Sequence, residues 1–205
     1  MPESFIQLPP DSTGKQLRTR TKVILGQTVH EQAVYQTALP TFFAVADAVA
    51  LAANKHHISL FNGAGSGKMV TVRKLYQINL SLAAVTGVAL RFDMRRSTAQ
   101  SAGTAITPVS ADTDDTLPAG ITVATGATVT NGGLLFPFTT QSDELTASNA
   151  AVANYLTQYG NLMMESAEIK ELRLRPGEGF TVQQITSSTV GSFAWLMAFT
   201  VDDDL

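Results

Sequence analysis

Asn62 to Lys68 reads NGAGSGK, a glycine-rich stretch that ends in a Gly-Lys pair. A phosphate-cradling loop of the Gly-x-x-x-x-Gly-Lys-Ser/Thr kind ends in that pair, and its chemistry has strict needs. The first glycine makes the tight turn, the final hydroxyl binds magnesium, and the helix that follows points its free N–H groups at the phosphates. Here Asn62 stands where the first glycine is required and Met69 where the hydroxyl is required. The residues after Lys68 alternate with period two, which opens a strand and not a helix. The stretch therefore reads as a flexible hairpin link between two strands, with Asn62, Gly63, Gly65 and Gly67 supplying the turn. Pro176, Gly177 and Gly179 mark a second strand-connecting turn, in Pro-Gly-Glu-Gly. Ser66 lies between Gly65 and Gly67 but lacks the Gly-x-Ser-x-Gly frame of a nucleophile elbow.

His56 and His57 are adjacent, so on a strand they point to opposite faces and do not chelate one ion. His30 is remote, and three histidines without cysteine fall short of a zinc ligand set. The expected role for the histidines is at a surface or interface. Asp112, Asp114 and Asp115 gather oxygen ligands in DTDDT, yet the glycine and glutamate of a calcium-binding helix-loop-helix loop are missing. A weak divalent-cation site in that loop stays open at this point. No carboxylate pair or nucleophile constellation stands out, so no catalytic, cofactor-binding or metal residues are assigned, and the chain is expected not to be an enzyme.

The 205 residues suffice to bury a sizeable core. Charged residues are 15%, well below the usual quarter or so, so neutral polar groups must build much of the surface. Net charge is −3, which argues against a general nucleic-acid binder. From Ser97 to Ile169 there is no Lys or Arg, which reads as a neutral, Thr-rich exposed face. Absence of cysteine excludes disulfides and thiolate metal sites. No stretch is long and apolar enough for a membrane helix, and the N-terminus lacks signal-peptide character, so use from a cytoplasm is expected.

The elements that would position these residues are mostly strands. Residues 1–22 read as an extended arm, because Pro2, Pro9 and Pro10 block regular structure. Lys15, Arg18, Arg20 and Lys22 follow without an intervening acid. This is either a solvated tail or an arm docking on an acidic neighbouring subunit; Phe5, Ile6 and Leu8 are anchors a free tail does not need. Residues 21–37 read as two short strands or one kinked strand, with a break at Gly26. The alanines of 41–55 favour a short helix or an irregular segment. Residues 57–61 form a compact strand, followed by a long one from Lys68. In the latter Val70, Val72, Tyr76, Ile78, Leu80 and Leu82 share one face, and only Lys74 and Leu75 break the alternation. Val88, Leu90, Phe92 and Met94 face inward on a third strand, with Arg91, Asp93 and Arg95 outward. Residues 97–120 read as a long exposed loop, 120–138 as short strands with glycine turns, and 146–161 as a helix capped by Ser148 or Asn149 and ended by Gly160. Residues 191–201 are apolar on both sides, as a central strand buried on both faces would be. The sum is a mainly β protein: an antiparallel β-sandwich, jelly-roll-like, with an N-terminal arm at 1–22, a single domain at 23–205, one or two short helices and a variable loop region at about 97–160.

Three stretches, LPPDSTGKQLRTRTKVILGQTVHEQAVYQ, HHISLFNGAGSGKMVTVRKLYQINL and LRPGEGFTVQQITSSTVGSFAWLMAFTV, resemble virion structural proteins of tailed bacteriophages. The resemblance spans most of the chain apart from about 97–160. It implies a capsid decoration (cement) protein, or alternatively a tail, baseplate or receptor-binding β-module. It further implies a homotrimer that contacts the major capsid protein through the arm (Phe5, Ile6, Leu8, Lys15, Arg18, Arg20, Lys22), with no cofactor, nucleic acid, membrane or small-molecule substrate. Its place would be the capsid surface of a virion assembled in the host cytoplasm.

Overall fold

A computed structural model describes residues 3–7, 16–24, 27–32, 39–79, 88–142, 171–189 and 191–203. The chain forms two compact units, Met1–Ala38 and Leu39–Leu205.

In the first unit, β1 (Glu3–Gln7), β2 (Gln16–Ile24) and β3 (Gln27–Gln32) form one antiparallel sheet in that order. The 22/23 boundary expected from the prolines lies inside β2, and the compact unit runs on to Ala38. The Thr and Val positions of Gln16–Ile24 favour a strand, so the basic residues lie on a paired strand of a three-stranded meander. Arg20 pairs with Glu3 on one side and Glu31 on the other.

The second unit contains β4 (Thr41–Ala50), β5 (His56–Asn62), β6 (Lys68–Asn79), β7 (Val88–Ser101), β8 (Thr104–Ile106), β9 (Val109–Ser110), β10 (Ile121–Thr125), β11 (Thr128–Ser142), β12 (Leu172–Leu174), β13 (Glu178–Gln184) and β14 (Ser192–Asp203). A five-stranded sheet has the order β12-β6-β14-β4-β9, and a six-stranded sheet the order β11-β7-β13-β5-β10-β8. All pairings are antiparallel. With the short β8, β9 and β10 set aside, the sheets are β12-β6-β14-β4 and β11-β7-β13-β5. The chain alternates between them through β4, β5, β6 and β7, and again through β11, β12, β13 and β14. That is the jelly-roll topology.

The core lies between the sheets. Period-two alternation drives Phe193, Trp195, Met197 and Phe199 of β14 inward to meet Ile58, Leu60, Leu90, Phe92, Phe180 and Val182, all essentially inaccessible to solvent. Phe92 sets its ring edge-on to Trp195 (centroids 5.3 Å apart) and to Phe193 (5.8 Å), a geometry that adds to the burial term.

Several expectations change. Thr41–Ala50 is a strand and not a helix: Phe42, Ala44 and Ala46 are buried while Phe43 and Val45 are exposed, and the pairing with β14 overrides alanine's helix preference. Among the described residues there is no helix; the helix expected at 146–161 lies outside them. The strand expected to stop near Arg96 runs to Ser101. In β6 the pairing steps from Ala198↔Lys74 to Phe199↔Val72, so Arg73 is an extra, bulged residue. Beyond it the faces exchange: Leu75 and Gln77 are buried, while Tyr76 and Ile78, expected in the core, lie half-buried on the outside.

Candidate functional site

The glycine turns meet at one corner of the sandwich. Neither is a hairpin: residues 63–67 carry the chain from β5 to β6, and residues 175–177 from β12 to β13, each time from one sheet to the other. Asn62 joins them. Its Nδ2 donates to Lys68 O (2.6 Å) and Leu174 O (2.9 Å), and its Oδ1 accepts from Ser66 Oγ (2.5 Å). Its carbonyl accepts from Gly177 N–H (2.7 Å), and Gly63 N–H donates to Gly120 O (2.9 Å). A wholly buried side-chain amide with every polar atom engaged pins three chain segments. Gly67 and Gly177 have φ of +61° and +87°, which favours glycine. Gly179 is not in the turn but in β13, where a Cβ would stand 2.2 Å from Ser97 Oγ and 2.8 Å from Leu60 O. Lys68, the residue a phosphate would need, pairs with Asp203 Oδ1 at 2.6 Å.

The histidines do point opposite ways, but both are buried, which corrects the surface role expected for them. The β5–β13 register steps from Val182↔Ile58 to Gln183↔His56, so His57 is the bulged residue and enters the core beside Ile58. Trp195 Nε1 lies 3.2 Å from His57 Nδ1, and His57 Nε2 lies 3.0 Å from Gln184 Oε1. An indole N–H can only donate, so Nδ1 is the bare nitrogen and Nε2–H donates to Gln184. Gln184 Oε1 also accepts from Ala52 N–H (3.0 Å), and its Nε2 donates to Thr186 O and Ser188 O (2.7 Å each). Burial pushes the His57 imidazolium down to about 4, with Lys55 and His56 adding to the effect and the Gln184 bond opposing it. His57 is thus a neutral framework group with both nitrogens occupied. His56 is also lowered, by burial first and then by Arg95, and its Nδ1 lies 2.9 Å from Thr181 Oγ1.

In the Asp112–Asp115 loop, Asp112 Oδ1 accepts from Asp114 N–H (3.1 Å) and Asp112 O from Asp115 N–H (3.1 Å), a local turn. Among the described residues no three His, Asp or Glu side chains gather as a metal site would need. A shallow cleft of about 240 Å³ lies between Pro40, Thr116, Pro118 and the Lys68–Asp203 pair.

The two outer faces of the sandwich differ in chemistry. On the six-stranded sheet, Asp93 is 2% exposed and sits between Arg91 Nε (3.0 Å) and Arg95 Nη2 (2.9 Å). Ser59 and Thr181 share a 2.7 Å hydrogen bond nearby. On the five-stranded sheet, the register sets Val45, Leu196 and Tyr76 side by side, with Val109, Phe43, Ala198 and Lys74 in the next row and Ala194 beside Ile78 beyond. Phe43, Val45 and Val109 are 39%, 51% and 68% exposed. The outer side of β14 is buried at Ala194, Ala198 and Thr200 and half-buried at Leu196, as expected of a central strand, so the open apolar surface of this sheet is carried by Phe43 and Val45 of β4 and Val109 of β9. A contiguous apolar patch on a folded domain marks an interaction surface.

Of the arm residues, Phe5, Ile6, Arg18, Arg20 and Lys22 fall on β1 and β2, while Leu8 and Lys15 lie outside the described residues. Two features escaped the sequence reading: the Arg-x-Asp-x-Arg ion triad, legible as alternation on one strand, and the exposed apolar side of β4, hidden by the helix or irregular segment expected there. No family model matches the chain, and no curated protein and no solved structure matches it.

Proposed function

We propose that the chain is a non-enzymatic structural component of a tailed-phage particle, a decoration protein that binds the capsid surface and bridges neighbouring major capsid subunits. The observation that carries this reading is the corner around Asn62. The NGAGSGK and LRPGEG stretches, which bear much of the resemblance to phage virion proteins, direct their polar groups at each other and tie the two sheets together. Their use in a framework suits a protein selected to hold shape under load. The polar groups of His57 and Lys68 are likewise taken up by internal partners, which leaves a particle role as the reading with the fewest demands on chemistry.

Heads assembled in the host cytoplasm with and without the chain provide the test. The expected result is a fixed stoichiometric ratio to the major capsid protein, and heads that open at lower temperature when the chain, or its residues 1–22, is missing. A few copies per particle, located at the tail, would assign it instead as a tail or receptor-binding module. Heads equally resistant to heat and chelation without it would overturn the decoration role.

A further inference from the structure

We infer that the outer face of the five-stranded sheet binds a second copy of this chain about a two-fold axis. The face is an apolar rectangle with Leu196 at its middle, Val45 and Tyr76 beside it on the flanking strands, and Phe43 in the next row. Across the rows of Ala194, Leu196 and Ala198 it holds one acid and one base, at opposite corners; Arg73, which bonds Thr200 in the row beyond, is already paired with Glu171. Lys74 lies on β6 beside Ala198, and Asp47 lies on β4 two residues past Val45. Both are exposed, and neither forms an ion pair with another described residue.

That diagonal makes the face complementary to itself. A two-fold axis through Leu196, with the strands of the two copies crossing near right angles, brings Lys74 of each copy near Asp47 of the other. Apolar rows then cover apolar rows. An axis running along the strands sets Lys74 over Phe43 instead and leaves both charges buried and unpaired, which is costly. The charge pattern thus selects one occupant and one crossing. The same contact repeated around a three-fold ring would need a second, different surface, so the pair, and not the trimer, follows from this face. A footprint of four strands over about five residues covers only about 300 Å², so pairing depends on concentration.

The test is sedimentation equilibrium of the full chain over a wide dilution series. The expected result is a monomer–dimer equilibrium that weakens about five- to tenfold in Lys74→Asp or Asp47→Lys and returns to within about threefold of the starting value in the double reversal. Leu196→Lys, checked for native tryptophan fluorescence, is expected to abolish pairing. Because the chain has no cysteine, Val45→Cys supplies one thiol, whose labelling should slow as the dimer forms. A chain that stays monomeric at every concentration overturns the inference, as does a dimer or trimer indifferent to these changes. So does a thiol shielded in the monomer, which would mean that this chain's own residues 1–38 or 143–170 cover the face. The pairing does not rest on the capsid reading: heads that still bind an unpaired variant would overturn the pair alone.

Discussion

The outer face of the six-stranded sheet closes most of its charged groups on one another around Asp93, while that of the five-stranded sheet leaves Phe43, Val45 and Val109 open. Both faces come from the same alternation along strands of one sandwich. Asp93 is buried between two arginines and His56 beside Thr181, so the first face is largely finished within the monomer, with Arg95 Nε and Ser97 Oγ as buried exceptions. Phe43, Val45 and Val109 remain exposed in the monomer, so the second face is free to act elsewhere. The difference teaches that exposure alone does not mark a working surface; what counts is whether the groups on it already have partners. Changes on the finished face should reduce stability, and changes on the open face should alter association.

The largest effect is expected from acid, which attacks the strand whose two sides carry His56 and His57. The ordinary histidine value is 6.5, and in the folded chain His57 is pushed down to about 4. The unfolded chain therefore takes up the proton first. Stability from this group is full above about 6.5, falls as pH is lowered from 6.5 towards 4 by roughly 3 kcal/mol, and changes no further below that. His56, shifted the same way, adds to the fall. Urea midpoints measured across this range should descend, and His57→Gln should flatten the curve; an unchanged descent in that variant would place the proton uptake elsewhere.

Next comes the ion triad. Asp93→Ala leaves Arg91 and Arg95 facing each other without their shared carboxylate, and should destabilise by about 2–3 kcal/mol, below the value for a fully buried pair because the arginines keep contact with water. Chemical denaturation at low and high salt measures it. A loss under about 0.5 kcal/mol would mean the face is no more finished than its neighbour.

Gly179→Ala on the same face forces a methyl against Ser97 Oγ and Leu60 O, for a loss of about 2 kcal/mol. Gly65→Ala, with nothing within 4 Å of the added carbon, is the matched control and should be close to neutral. Equal thermal midpoints for the two variants would contradict the packing described for the closed face.

The smallest effect belongs to the open face. Val45→Thr should alter unfolding free energy by less than about 0.5 kcal/mol while it weakens self-association. A large loss of monomer stability there would show that the face is covered within one chain.

Much of this architecture was legible in the sequence, and the failures have specific causes. Phe193, Trp195, Met197 and Phe199, with Ala194, Leu196 and Ala198 between them, declare a central strand, and Gly67 and Gly177 declare turns. The helix expected at 41–55 failed because alanine preference is weak beside an eight-residue pairing with β14. Tyr76 and Ile78 were misplaced because a bulge at Arg73 breaks the period without changing any residue type. The sequence places His57 at a surface or interface because its partners, Trp195 and Gln184, are more than a hundred residues away.

By itself the sequence determined the β class, the position of most strands in the second unit and the places where the chain must turn, because alternation and positive-φ glycines act over a few residues. Only the tertiary structure decided which sheet each strand joined, that Asn62 would tie two turns into one corner, and which side of β6 would face water. Those outcomes depend on hydrogen-bonded neighbours distant in the chain, and a bulge of one residue is enough to exchange the inside of a strand for its outside.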